Sequence, residues 1–207
     1  MSDPIDYNDH VTITRPNGDA SASFNTIACY QSDMVFWKND DSEPHYPTFS
    51  TGNPPPALTY QVGAYATSGS LQPALALAKY YPGGGQSNPL PQGVAVPSNY
   101  VCALHAGEAG IIDVYANFYS VASQLPNATP GTAYTANLIT GGIPNFQFNV
   151  SNSDLPASLS VGITNAQQGP ALSGTPGQND SGNYSFDLSC EDAGGNNVTQ
   201  TYLLTVS

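Results

Sequence analysis

Hydrophobic residues in this chain almost never recur at the spacing of a helix face. They alternate instead, in short runs parted by turn residues: HVTITRP, MVFWKN, AGIIDVYANFYSV, YSFDLSC and TYLLTV. Alternation sends every second side chain to one face of a strand, so these runs predict half-buried strands and an all-β chain of sandwich or barrel type. The one exception is LQPALALAKYY, where the spacing predicts a helix over 71–81. Pro73 sits in its first turn and PGGG ends it.

A chain of 207 residues with 40% hydrophobic content can bury two small cores. The segment SQLPNATPG interrupts the strands with two prolines and small polar residues, which marks a boundary. Two domains are therefore expected, 1–122 and 123–207. The first holds all three histidines and all three basic residues, with a net charge of -7 against -5 for the second. Within the first, the Pro-, Gly-, Ala- and Tyr-rich stretch 50–98 reads as an excursion over the surface.

Charge excludes one class of partner. Arg15, Lys38 and Lys79 are the whole basic complement against 15 acids, giving a net charge of -12, whereas nucleic-acid binding rests on Lys and Arg neutralising phosphates. No apolar run reaches the roughly 18 residues of a membrane span. The polar start MSDPIDYND reads as a mature terminus carrying an added Met, which implies that an export signal or lipid anchor has been removed. Low charge with abundant Ser, Thr, Asn, Gly, Pro and Tyr suits an exported β-protein, periplasmic, extracellular or on the cell surface.

Three cysteines are too few for a disulfide scaffold, and the odd count leaves at least one for other work. Cys29 and Cys190 either pair across the domains or are small buried hydrophobes, the second being favoured for free cysteine. In YSFDLSC, alternation puts Phe186, Leu188 and Cys190 on the core face. Cys102 is different, because it stands three residues before His105 in a Gly-flanked turn, and His45 follows the strand MVFWKN and a turn rich in Asp, Ser and Pro. A soft thiolate with two imidazoles is the donor set that suits copper in a trigonal electron-transfer site. Zinc would more often show a second Cys-x-x-Cys or a denser cluster.

With these residues in view, the first 122 residues resemble a cupredoxin, the blue-copper Greek-key β-sandwich. VFWKNDDSEPH matches the first-histidine motif of strand, Asn and Pro-His, and YVCALHAGEAGIIDV matches Y-x-C-x-x-H followed by a small loop and G-x-I-x-V. The spacing of the second motif is similar to the short-loop amicyanin type. The resemblance implies that His45, Cys102 and His105 are equatorial ligands of one mononuclear copper ion. It also implies that single electrons leave through the His105 edge among Ala103, Leu104 and Ala106.

The family's axial Met position holds Glu108 here, and neither Met34 nor Met1 can stand in for it. A carboxylate is an anionic, hard donor, so a bound Glu108 would favour Cu(II), lower the potential and give a red or green site rather than a deep blue one. Proton and metal would then compete for it. Alternatively Glu108 is a solvated loop residue, and the axial position is empty or taken by a backbone oxygen. Asp40, Asp41 and Glu43 read mainly as a solvated turn that could also attract a basic redox partner. Tyr46 is placed to shield the metal or relay charge. His10 reads as a surface strand residue.

Residues 124–207 resemble the bacterial immunoglobulin-like module of surface and secreted proteins. The matching pieces are LPNATPGTAYTANL, GGIPNFQFNV, LPASLSV, ALSGTPGQNDSGNYSFDLSCEDAGGN and TYLLTV. This half has no His, Lys or Arg, and Asp180 and Asp192 with their Asn neighbours are turn formers before they are calcium ligands. The expectation is an exported copper protein, not an enzyme, in which the cupredoxin half carries single electrons and the immunoglobulin-like half spaces or docks it. Two rivals are copper storage or delivery, and a cell-surface adhesion or scaffold protein with a vestigial copper site.

Overall fold

Burial follows the period of two that the sequence predicts: Val11 and Ile13 are fully buried between exposed His10 and Thr14, and Phe186, Leu188 and Cys190 alternate with less buried neighbours. In a computed structural model of the chain, residues 10–15, 19–31, 33, 35–49, 62–63, 66–67, 90 and 93–207 are described. They are all-β, with no helix among them. The helix expected over 71–81, most of the 50–98 stretch and Met34 lie outside the described residues. The chain falls into two compact units, one within Met1–Pro91 with Ala95–Tyr115, the other Gln92–Val94 with Ala116–Ser207.

Among its described residues the N-terminal unit has seven strands: β1 (His10–Thr14), β2 (Ser23–Phe24), β3 (Ile27–Tyr30), β4 (Phe36–Asn39), β5 (Pro47–Phe49), β6 (Val96–Cys102) and β7 (Ala109–Tyr115). They form two sheets, ordered β2-β1-β4 and β3-β7-β6-β5. The pairs β1 with β4 and β3 with β7 are parallel, so the chain crosses between the sheets rather than meandering. The inner faces share one sandwich core of Val11, Ile13, Phe24, Ile27, Cys29, Val35, Trp37, Val62, Tyr100, Ile112 and Val114. Tyr100 lies at its centre, edge-on to both Trp37 and Phe24 with ring centroids 5.6 Å apart in each case. Gly110 faces it across the β6–β7 ladder, and a Cβ there would fall 2.2 Å from the Tyr100 hydroxyl oxygen. The glycine of the G-x-I-x-V motif is therefore required by a buried ring.

The C-terminal unit continues with β8 (Tyr119–Ser120), β9 (Tyr134–Asn137), β10 (Ile139–Thr140), β11 (Gln147–Ser151), β12 (Leu159–Asn165), β13 (Gly169–Gly174), β14 (Gly182–Glu191) and β15 (Asn197–Val206). Its main sheets are β11-β14-β15 and β12-β13-β9, with β8 pairing β10. The hairpin of the two ten-residue strands β14 and β15 supplies Phe186, Leu188, Cys190, Tyr202, Leu204 and Val206 to the core. Phe186 and Tyr202 stack at 5.4 Å, and the Tyr202 hydroxyl donates to the Leu138 carbonyl, which satisfies a buried polar pair. Residues 124 and 128 bridge β15 in parallel and cover part of that outer edge.

All three cysteines are buried. Of the two readings of Cys29 and Cys190, the buried-hydrophobe one holds, with both 1% exposed. Burial, and then the charge of Asp192, push the Cys190 thiol up to about 11. In the folded protein Cys29 and Cys190 should therefore resist a thiol reagent that labels all three cysteines in denaturant. Labelling of Cys190 at the rate of an exposed thiol would contradict this packing.

Candidate metal centre

The first contribution comes from the turn after β4. Asn39 is fully buried and acts as its internal scaffold: the side-chain amide donates to the carbonyls of Glu43 at 2.7 Å and Gly63 at 3.1 Å, while its oxygen accepts from Asp41 N at 2.9 Å. Such side-chain to backbone bonds replace the ladder where the chain reverses. His45 is then clamped by a reciprocal backbone pair with Val62, at 3.0 and 2.8 Å. Its ring, fully buried, meets Phe24 edge-on at 5.7 Å.

The second contribution is the loop joining β6 to β7. It begins at Cys102, which ends β6, and is closed by Cys102 N donating to Glu108 O at 2.9 Å. Gly107, at φ +90°, takes the left-handed backbone position that lets the chain turn back. A further bond from Ala103 N to Tyr46 O, 2.8 Å, ties this loop to the His45 segment. Tyr46 N also approaches Cys102 Sγ at 3.4 Å, an outer hydrogen bond to the sulfur that sequence could not reveal.

The four expected residues meet. One donor atom from each of His45, Cys102, His105 and Glu108 lies within 4.8 Å of the others. Cys102 Sγ is 3.7 Å from His45 Nδ1 and 3.5 Å from His105 Nδ1, the two Nδ1 atoms are 3.3 Å apart, and Glu108 Oε2 is 3.0 and 3.2 Å from them. Glu108 is 3% exposed, so it is not a solvated loop residue, and its Oε2 accepts no hydrogen bond. Asp41 Oδ2 lies 2.9 Å from His45 Nε2. A carboxylate can only accept, so that nitrogen carries the proton and Nδ1 presents a lone pair to the cluster. Nitrogen, sulfur and oxygen atoms brought this close in a largely buried site need a proton shared among them or a cation between them. The residues present therefore fit a metal ion, and the mixture of thiolate, imidazole and one carboxylate fits a transition metal rather than calcium.

A second layer of charge surrounds the cluster. Reading Asp41 as part of a solvated turn is corrected by the structure: it is 4% exposed, whereas the side chains of Asp40 and Glu43 are 42% and 51% exposed. Burial would raise the Asp41 carboxyl, but hydrogen bonds from His45, Arg15 and the Ser42 amide outweigh it and hold it at about 2. Arg15 Nε donates to Asp41 Oδ2 and its Nη2 to Glu43 Oε2, both at 2.9 Å. Ala22 N donates to Glu108 Oε1 at 2.7 Å. Arg15 and Ala22 carry no site signal in the sequence beyond Arg15 being one of three basic residues in a chain with 15 acids, and Asp41 reads there only as part of an acidic turn.

Around His105, 28% exposed at its side chain, Ala103, Leu104 and Ala106 are exposed, Leu104 at 41%. Tyr46 is partly buried against the core, and His10 is an exposed strand residue stacked on Phe36 at 5.3 Å. In the C-terminal unit, Asp180 accepts from Gly177 N and Ser158 Oγ, and Asp192 from the amides of Ile143, Gly194 and Asn196. Both oxygens of Asp192 and Oδ2 of Asp180 are used in holding turns.

Comparison with known proteins bears mainly on the C-terminal unit. Residues 116–207 match the family model described as "Putative Ig domain". No curated protein matches the chain. Among solved structures, an endo-fucoidan hydrolase of glycoside hydrolase family 107 is similar at 30% identity over 40% of this chain and 15% of its own, with a TM-score of 0.33. An I-band fragment of titin is similar at 13% identity over 87% of this chain and 62% of its own, TM-score 0.39. The human desmocollin-1 ectodomain is similar at 11% identity over 87% and 38%, TM-score 0.34. The chain spans less than a third of the length of the fucoidan hydrolases it matches.

Proposed function

We propose that the N-terminal unit holds one copper ion through His45, Cys102, His105 and Glu108 and carries single electrons, in an exported protein whose immunoglobulin-like unit spaces or docks it. One observation carries this reading: four donor atoms of mixed hardness lie within 4.8 Å of one another, and one of them, Glu108 Oε2, is buried without a hydrogen bond. The likeness of both ligand motifs to those of cupredoxins stands beside it. Copper held there would supply a one-electron couple.

The chain's own residues do the rest. Cys102, 5% exposed, keeps its sulfur from water and oxidant. Asp41 fixes the tautomer and ring orientation of His45. His105 offers the exposed edge, ringed by apolar groups, to a redox partner, while Asp40 and Glu43 nearby are paired with Lys38 and Arg15. No residue is assigned a catalytic role. The low charge and the immunoglobulin-like match support a periplasmic or cell-surface location.

Titration of the purified protein with Cu(II) should give a sulfur-to-copper charge-transfer absorption that saturates at one equivalent and is absent from Cys102→Ser. A wild-type protein without that absorption would overturn the reading. The anionic Glu108 also favours a second one, copper storage or delivery, which voltammetry separates: reversible one-electron waves belong to a carrier of electrons, loss of metal on reduction to a carrier of copper. The immunoglobulin-like unit favours a third, adhesion beside a vestigial site, for which ligand binding would be indifferent to copper.

A further inference from the structure

We infer that Arg15 is the positioning residue that decides which atoms the cluster offers a metal, holding Glu108 to a single inward oxygen and the two imidazoles to their Nδ1 faces. The inference rests on the copper reading of the same four donors, and it concerns a residue outside them.

Arg15 directly follows β1, and its one guanidinium reaches three carboxylates, each of which touches one or both imidazoles. Through Nε it bonds Asp41, whose same oxygen holds His45 Nε2 at 2.9 Å. Through Nη2 it bonds Glu43, whose same oxygen lies 3.5 Å from His105 Nε2. The same Nη2 is 3.7 Å from Oε1 of Glu108, and Nη1 is anchored on the Ala20 carbonyl at 3.2 Å. A planar fork can serve several acceptors at once in fixed geometry, which a lysine ammonium cannot.

The consequence for Glu108 follows from its two oxygens. Oε1 is taken by the Ala22 amide at 2.7 Å and faces the guanidinium, while Oε2 alone points at the two Nδ1 atoms. A carboxylate held this way can give one oxygen to an ion and not two. Four donors then remain, a number that suits copper, zinc or cobalt and is too few for a larger oxygen-seeking cation. Without Arg15, Oε1 keeps only the amide bond, three carboxylates face one another with no cation among them, and Glu108 is free to rotate until both oxygens face inward.

The test uses the whole chain, with Co(II) as a spectroscopic probe and Cu(II) in competition with a chelator. Wild type should give the intense visible absorption of four-donor cobalt. Arg15→Met should weaken that absorption, as a higher donor number does, and lower Cu(II) affinity by about ten- to hundredfold. Arg15→Lys, which keeps the charge without the fork, should fall between them. An Arg15→Met protein with the wild-type cobalt spectrum and unchanged Cu(II) affinity overturns the inference and leaves the metal reading standing. If Arg15→Met does not fold, Arg15→Lys decides on the same two readouts, and its identity with wild type overturns the inference. A wild type that takes neither cobalt nor copper overturns both.

Discussion

Glu108→Met in the copper-loaded protein should raise the reduction potential by at least ~59 mV, the equivalent of one decade in relative affinity for Cu(I) over Cu(II), and should move the colour toward deep blue. The reason is electrostatic. Glu108 is 3% exposed and aims Oε2 at both imidazoles from about the distance at which they face each other. An anion so placed in a dry site stabilises the dication more than the monocation, and a thioether does not. Removing it also leaves the thiolate as the one anionic donor, with a stronger hold on the ion. Glu108→Gln, which can keep the Ala22 hydrogen bond while losing the charge, should fall between wild type and Met. Thermal melting is the wrong readout here, because Met leaves the Ala22 amide unbonded while relieving a buried oxygen that has no hydrogen bond of its own. Spectra and potentials identical across the three proteins would make the carboxylate a bystander.

The second large effect should come from Asp41→Ala, a residue that touches no donor atom of the cluster. Its carboxylate accepts from His45 Nε2, Arg15 Nε and Ser42 N, all within a site 4% exposed. Losing them should destabilise the metal-free N-terminal unit by roughly 3 kcal/mol and free the His45 ring to change tautomer. Cu(II) affinity should fall by about ten- to hundredfold, while the C-terminal unit melts as before. Asp41→Asn, with an oxygen to offer His45 but no charge for Arg15, separates the two contributions: recovered affinity without recovered stability would assign orientation to the oxygen and stability to the ion pair. Unchanged affinity in both variants would show that Asp41 does not set the ring.

The strands β1, β4, β7, β14 and β15 and the four residues of the cluster are legible in the sequence for a shared reason. Alternation in AGIIDV and YSFDLSC is local, and the spacing of Cys102, His105 and Glu108 is local too, so no long-range contact had to be known. His45 came from 57 residues upstream through a motif that ends a strand. Asp41 did not, because DDSE looks the same whether its second residue faces water or is drawn inward by Asn39 and Arg15. Burial of one carboxylate in an acidic run is decided by a guanidinium from just beyond β1. Arg15 itself was hidden for a similar reason, since its partners lie 26 and 28 residues on, and Glu108 lies further still along the chain. The amide of Ala22 has no side-chain signature at all.

The hairpin closed by Cys102 N and Glu108 O carries three of the four donors on one short, self-contained segment. Length and coordination are thereby coupled. One residue inserted between His105 and Glu108 would leave the strand ladder of β6 and β7 able to zip beneath it, yet would swing the carboxylate off the cluster. Evolution or an engineer could thus rewrite the chemistry of this protein by changing the reach of a single loop, with the sandwich serving as an indifferent handle.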